Sequence, residues 1–140
     1  MKTKKSSPVS VAISLISVVL LLFFLNTVGG IEYRFENTSF TAHTKLWADK
    51  TVSYEEIESA ELRDGFDAGK RLNGYGTSKL RIGKFRNQEF GTYQIYASSA
   101  SETVVVLHLR DGSILVISGE DNAATEELYT RIENSPCSVQ

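Results

Sequence analysis

The sequence predicts a mainly β domain with one C-terminal α-helix, a small barrel or roll capped at one end, preceded by a single transmembrane helix. Three observations carry this. Residues 6–31 hold no charged side chain and follow Lys2, Lys4 and Lys5. Apolar residues then recur with a period of two in short segments as far as residue 117. After Ser118-Gly119 the period changes once, to that of a helix. An up-and-down barrel with a helical appendage is the alternative arrangement.

The apolar run from Pro8 through Leu25 is the first element. A helix over the whole charge-free stretch would measure about 39 Å, against a hydrocarbon core of about 30 Å. The expectation is a signal anchor over residues 8–30, behind a basic cytoplasmic N-terminus of residues 1–7. With the lysines on that side, the positive-inside rule places the domain outside the cytoplasm. A cleaved secretory signal is the second reading, with Val28 and Gly30 as the small residues before a cut at Ile31. Ser10, Ser14 and Ser17 fall on one helical face, either as a helix–helix contact or as tolerated serines.

The remaining 109 residues have the size of one domain. A domain is expected over 31–135 and a tail over 136–140. Residues 32–140 hold 12 basic and 17 acidic side chains, a net −5, which gives no reason to expect nucleic acid as a partner. Cys137 is the single cysteine, so an internal disulfide is excluded. Two histidines and this cysteine, far apart, have no metal-ligand spacing, and no cofactor is expected. Asn37-Thr38-Ser39 matches the glycosylation triplet, a pattern that also arises by chance.

Along the domain, Tyr33 and Phe35 alternate with charged residues, 37–39 turns the chain, and Phe40, Ala42 and Thr44 continue the period. Val52 to Ile57 is a strand end running into a tight turn. Ala60 and Leu62 begin another extended piece, closed by Asp64-Gly65. Residues 66–78, with Gly69, Gly74 and Gly76, read as a long loop. Residues 89–97 and 103–109 carry the strongest β signal, and Asp111-Gly112 marks a hairpin into 114–117. Apolar residues on both faces of the last two strands place them centrally. Asp121 or Asn122 caps a helix whose inward stripe is Ala124, Leu128 and Ile132, and Pro136 ends it.

Three segments, taken together, carry a resemblance: Arg71-Leu72-Asn73-Gly74-Tyr75-Gly76-Thr77, then Leu80 to Phe85, then Gly91 to Tyr96. With the Tyr54-Glu55-Glu56-Ile57 turn, they resemble the bacterial pleckstrin-homology-like domains of membrane-associated proteins, over roughly residues 50–134. The resemblance implies a barrel of two nearly orthogonal antiparallel sheets with a C-terminal helix plugging one end. It carries a fold and a binding-module class and no catalytic residue. The basic first hairpin loop of the phosphoinositide-binding namesakes has no counterpart around Asn37.

Lys70, Arg71, Lys79, Arg81, Lys84 and Arg86 lie between Asp67 and Glu89 with no acid among them. Without them residues 32–140 hold 6 basic against 17 acidic side chains. Strict alternation points Lys84 inward and Phe85 outward; a bulge at Gly83 would reset the period. Lys79, Arg81, Lys84 and Arg86 are then the candidate contact to an anionic lipid, a glycan or an acidic membrane or envelope protein. The opposing reading is a solvated edge strand. Gly74-Tyr75-Gly76 is no phosphate loop, since it neither opens a helix nor precedes a Lys-Ser/Thr pair. Glu55, Glu56, Glu58 and Glu61 suit solvent-facing positions, and His43, His108 and Cys137 complete no triad. The expected function is a membrane-anchored, non-catalytic binding module. A structural subunit of a larger membrane complex and a small exported enzyme are the alternatives.

Overall fold

The structure, a computed structural model, describes residues 7–27, 30–45 and 47–135, with side chains except at 24–27. Lys2, Lys4, Lys5, Val28, Pro136 and Cys137 lie outside the described residues. Among those described, the chain forms α1 (Pro8–Thr27), nine strands and α2 (Asn122–Glu133). The strands are β1 (Glu32–Phe35), β2 (Ser39–His43), β3 (Lys50–Ser53), β4 (Ile57–Asp64), β5 (Lys70–Gly76), β6 (Leu80–Asn87), β7 (Gly91–Ser98), β8 (Thr103–Leu109) and β9 (Ile114–Ile117).

The transmembrane expectation is corrected. The first element is a helix, but among the described residues no helix is long and apolar enough to cross a membrane. The single-pass topology, the signal anchor and the cell-membrane placement deduced from that span fall with it. Ser17 Oγ donates to Ile13 O at 3.0 Å and Ser10 Oγ to Ser7 O at 2.8 Å. Those two hydroxyls are thus satisfied inside their own helix, without a second one.

Two sheets build the domain: a three-stranded β1-β2-β3 meander and a six-stranded sheet in the order β4-β8-β9-β7-β6-β5. One pair departs from the all-antiparallel expectation. β7 and β9 run parallel, with Gln94, Ile95 and Tyr96 opposite Leu115, Val116 and Ile117. β9 therefore sits between β7 and β8, and β8 and β9 are interior strands, as their two-sided apolar pattern predicts.

Each face of the large sheet has its own core. On one face Ile82, Tyr96, Val105, Leu107, Leu115 and Ile117 pack under Phe40, Ala42, Val52 and Tyr54 of the small sheet and under Leu128 and Ile132 of α2. On the other, Phe85, Tyr93, Ile95, Val104, Val106 and Val116 meet Ala68, with Phe66 and Phe90 packed against them. Alternation along β8 divides Val105, Leu107 and Leu109 from Val104 and Val106 in this way. Of the expected core, Val105, Leu107, Val116, Leu128 and Ile132 are buried, and Ile114 is half-buried.

Asp121 caps α2, its Oδ1 accepting from Ala124 N at 2.8 Å. Asn122 does something different. Its Oδ1 accepts from Glu102 N at 2.8 Å and Thr103 N at 3.2 Å, tying the helix to the start of β8. Thr125, fully buried, donates to Asp121 O at 2.7 Å and accepts from Gly119 N at 3.0 Å. Its hydroxyl also lies 2.8 Å from Ser101 Oγ. Thr125→Val keeps the shape and leaves Gly119 N without this acceptor, so it is expected to lower stability by about 1–3 kcal/mol. An unchanged urea midpoint would show that the cluster does not hold the helix. The guanidinium of Arg131 lies 3.8 Å from the centre of the Phe35 ring, joining the far end of α2 to β1. Tyr33 donates to Ser118 O at 2.7 Å, linking β1 to the exit of β9, and burial pushes its hydroxyl pKa up.

Candidate functional site

The segment read as a loop, residues 66–78, contains strand β5, which pairs with β6 from Lys70↔Arg86 to Gly76↔Arg81. Its glycines serve the pairing instead of preventing it. Gly74 and Gly83 face one another, with φ of 143° and 124°. A Cβ on Gly74 would sit 2.8 Å from Gly83 Cα and inside contact with Ile82 O, so the two backbones approach as only glycine allows.

Phe85 is buried while Arg81, Lys84 and Arg86 are exposed, but no bulge in β6 produces this. The β6–β7 register runs unbroken from Leu80↔Ser98 to Asn87↔Gly91. The irregularity lies in β5, where Arg71 opposes Phe85 and Asn73 opposes Lys84, leaving Leu72 as the extra, exposed residue. Phe85 is buried because the second face of the sheet has a core of its own. Strict alternation consequently puts Lys84 and Arg86 on the pleat face of Ile82, and Arg81 on the face of Phe85. Lys79 stands in the bend before β6. The four candidates thus share one hairpin and do not form one face.

The second face carries a cleft of about 400 Å³, lined by Phe66, Asp67, Gly69, Arg71, Thr77 and Arg81 among others. One wall is the 65–69 loop, and it is firmly held. Phe66 stacks on Phe90 with centroids 6.0 Å apart and meets Tyr93 edge-on at 5.9 Å. Tyr93 donates to Ala68 O at 2.5 Å, and Asn87 Nδ2 to Asp67 O at 3.0 Å. Burial, with the Asp67 carboxylate in support and Arg81 opposing, raises the Tyr93 pKa. Beyond this wall, Arg63 reaches both Glu89 oxygens at 2.7 Å and lies 5.4 Å from the Phe90 ring centre.

Arg71 belongs to the site although it is not among the four candidates. A Cβ on Gly76 would collide with its guanidinium, so that group lies over Gly76, the residue directly opposite Arg81. The signal is present as two arginines ten positions apart, but it becomes readable only once 70–76 is recognised as a strand.

The remaining candidates serve the fold. Glu56 Oε2 accepts from Ser53 N at 3.0 Å in the turn before β4, and Glu61 pairs with Arg63. Glu55 and Glu58 are exposed. His43 Nδ1 lies 2.7 Å from Asp49 Oδ1, and His108 is half-buried with its ring centre 6.2 Å from that of Phe90. Among the described residues no group of three His, Cys, Asp or Glu side chains is placed to hold a metal ion.

A meander packed over a larger sheet, with one C-terminal helix closing the core between them, defines a pleckstrin-homology-like β module. The chain belongs to the bacterial PH domain family, whose family model matches residues 31–132. That match begins well before residue 50, so β1 and β2 belong to the family unit. No curated protein and no solved structure matches the chain.

Proposed function

We propose that the domain is a non-catalytic binding module that meets an anionic lipid surface through its β5–β6 hairpin. The single observation that supports this is charge left uncompensated. Among the described residues Lys70, Arg71, Arg81, Lys84 and Arg86 have no ion pair, in a domain otherwise rich in acids. Exposed Leu72, in the bulge between Arg71 and Asn73, adds an apolar contact on the same hairpin. Each lysine or arginine near an anionic surface contributes about 1 kcal/mol, over a screening length of about 8–10 Å. The PH-type fold supports a lipid or protein ligand in place of a reaction.

The test follows backbone amide resonances of the full-length chain in neutral detergent micelles doped with phosphatidylglycerol or, as control, phosphatidylcholine. Amides of residues 79–86 are expected to shift with the anionic dopant alone, less at high salt and less in the Lys84→Glu/Arg86→Glu variant. Equal shifts with both dopants, or none at low salt, would remove the lipid role and leave the hairpin as a charged sheet edge.

A further inference from the structure

We infer that the cleft between the 65–69 loop and the β5–β6 hairpin is a binding site for a phosphate monoester group, gripped by Arg71 and Arg81. The site lies on the opposite pleat face from Lys84 and Arg86, so the Lys84→Glu/Arg86→Glu variant that tests the lipid contact leaves Arg71 and Arg81 in place.

The first argument is convergence of charge. Gly76 opposes Arg81 in the pairing, and the Arg71 guanidinium occupies the space that a side chain at 76 would fill. Arg71 thus reaches along its own strand to the position beside Arg81, and both line the same cleft. Two like charges brought together repel unless an anion sits between them. Among the described residues neither has an ion pair. Asp67, the carboxylate lining the cleft, is turned back on its own loop, where Oδ1 accepts from Gly69 N at 3.0 Å.

The second argument is the donor set. Thr77 Oγ1 accepts from Lys79 N and from Leu80 N, each at 3.1 Å. Its acceptor capacity is occupied by those two bonds, and its own proton is left to donate into the cleft that it lines. Two guanidinium forks and one hydroxyl supply donors in excess of what a carboxylate accepts, and they suit the three terminal oxygens of a phosphate monoester. The third argument is preorganisation. The opposite wall is fixed by the Phe66–Phe90–Tyr93 ring cluster and by the Tyr93 and Asn87 bonds to the loop, so little ordering accompanies binding. A volume of about 400 Å³ leaves room for a small group esterified to the phosphate.

The test titrates the full-length chain in neutral detergent with inorganic phosphate and with glycerol 3-phosphate, reading Gly69, Gly76 and Thr77 amides and the Arg71 and Arg81 Nε–H signals. Saturable shifts of these signals are expected. Arg71→Gln and Arg81→Gln should each weaken binding about tenfold, as loss of a charge-assisted bidentate contact implies. Gly76→Ala keeps both arginines but takes the space of the Arg71 guanidinium, and it should weaken binding similarly. Arg34→Gln, which removes an equal charge at β1, should leave it unchanged. Unaltered melting temperatures establish that the variants are folded. Linear, non-saturating shifts, or equal losses in Arg34→Gln and Arg71→Gln, would overturn the site. Micelles doped with phosphatidic acid, offered to the Lys84→Glu/Arg86→Glu variant, then distinguish the sources of the group. Tighter binding than to glycerol 3-phosphate identifies a lipid headgroup, and equal binding a free phosphate compound; either outcome supports the site.

Discussion

Replacing Gly83 by alanine should cost on the order of 4 kcal/mol. Two causes add. The backbone at Gly83 has φ of 124°, which an L side chain adopts only under strain of about 1–3 kcal/mol. The new Cβ would also lie 2.5 Å from Gly74 Cα and inside contact with Asn73 O. The obstacles are backbone atoms, so no rotamer change relieves them. The strand that must yield is β5, the sheet edge, and its loss opens both the cleft and the end of the second core. Urea unfolding of Gly83→Ala should show the lower stability, and hydrogen exchange should show β5 and β6 amides losing protection first. A midpoint within about 0.5 kcal/mol of the parent, the usual range for surface changes, would mean that the glycine pair is not needed.

Leu128→Ala is expected to cost about 2–5 kcal/mol. Leu128 is 4 % exposed and belongs to the core between the two sheets, with Ile132 one turn further along α2. The helix is bonded at its first turn through Asp121, Asn122 and Thr125 and at its last through Arg131 on Phe35. Held at both ends, it cannot settle into the void, which puts the loss toward the upper part of that range. A cavity that collapses would move it to the lower part. An unchanged melting temperature would show that α2 does not close the core.

The readable parts of this fold are those whose signal is local. Val104, Val105 and Val106 announce an interior strand, Asp111-Gly112 a hairpin, and Asp121 with Leu128 and Ile132 a capped amphipathic helix. Each of these rests on residues within one element. β5 escapes such a reading because Asn73, Gly74 and Gly76 are loop formers by propensity, and only the partner strand, with Gly83 opposite Gly74, turns them into a strand requirement. The burial of Phe85 follows from a different cause than the one its sequence suggests. A single core requires a bulge in β6, whereas a sheet covered on both faces buries Ile82 and Phe85 without one. The parallel β7–β9 contact joins segments about twenty residues apart, and no periodicity encodes it. The apolar N-terminal run is a helix as expected, but among the described residues no helix is long and apolar enough to cross a membrane. Of the candidate site, the basic band is legible, but the hairpin that carries it and its division between two faces are not, because alternation fixes facing only relative to a known core.

The position of β9 between β7 and β8 has a consequence for how the molecule comes together. When synthesis has reached Arg110, β7 and β8 have both been made, yet the strand that lies between them has not. Each then presents an unpaired edge toward an unfilled slot, the kind of surface that recruits foreign strands. Leu115, Val116 and Ile117, all buried, are the residues that fill it, and α2 follows within a few residues to cover one side. Cutting the chain in the exposed Asp111–Ser113 turn would therefore divide it into a slotted receptor, residues 1–111, and a strand-plus-helix plug, residues 112–140. The pair has the geometry of a split-protein reporter, in which neither half completes the sheet until the other docks.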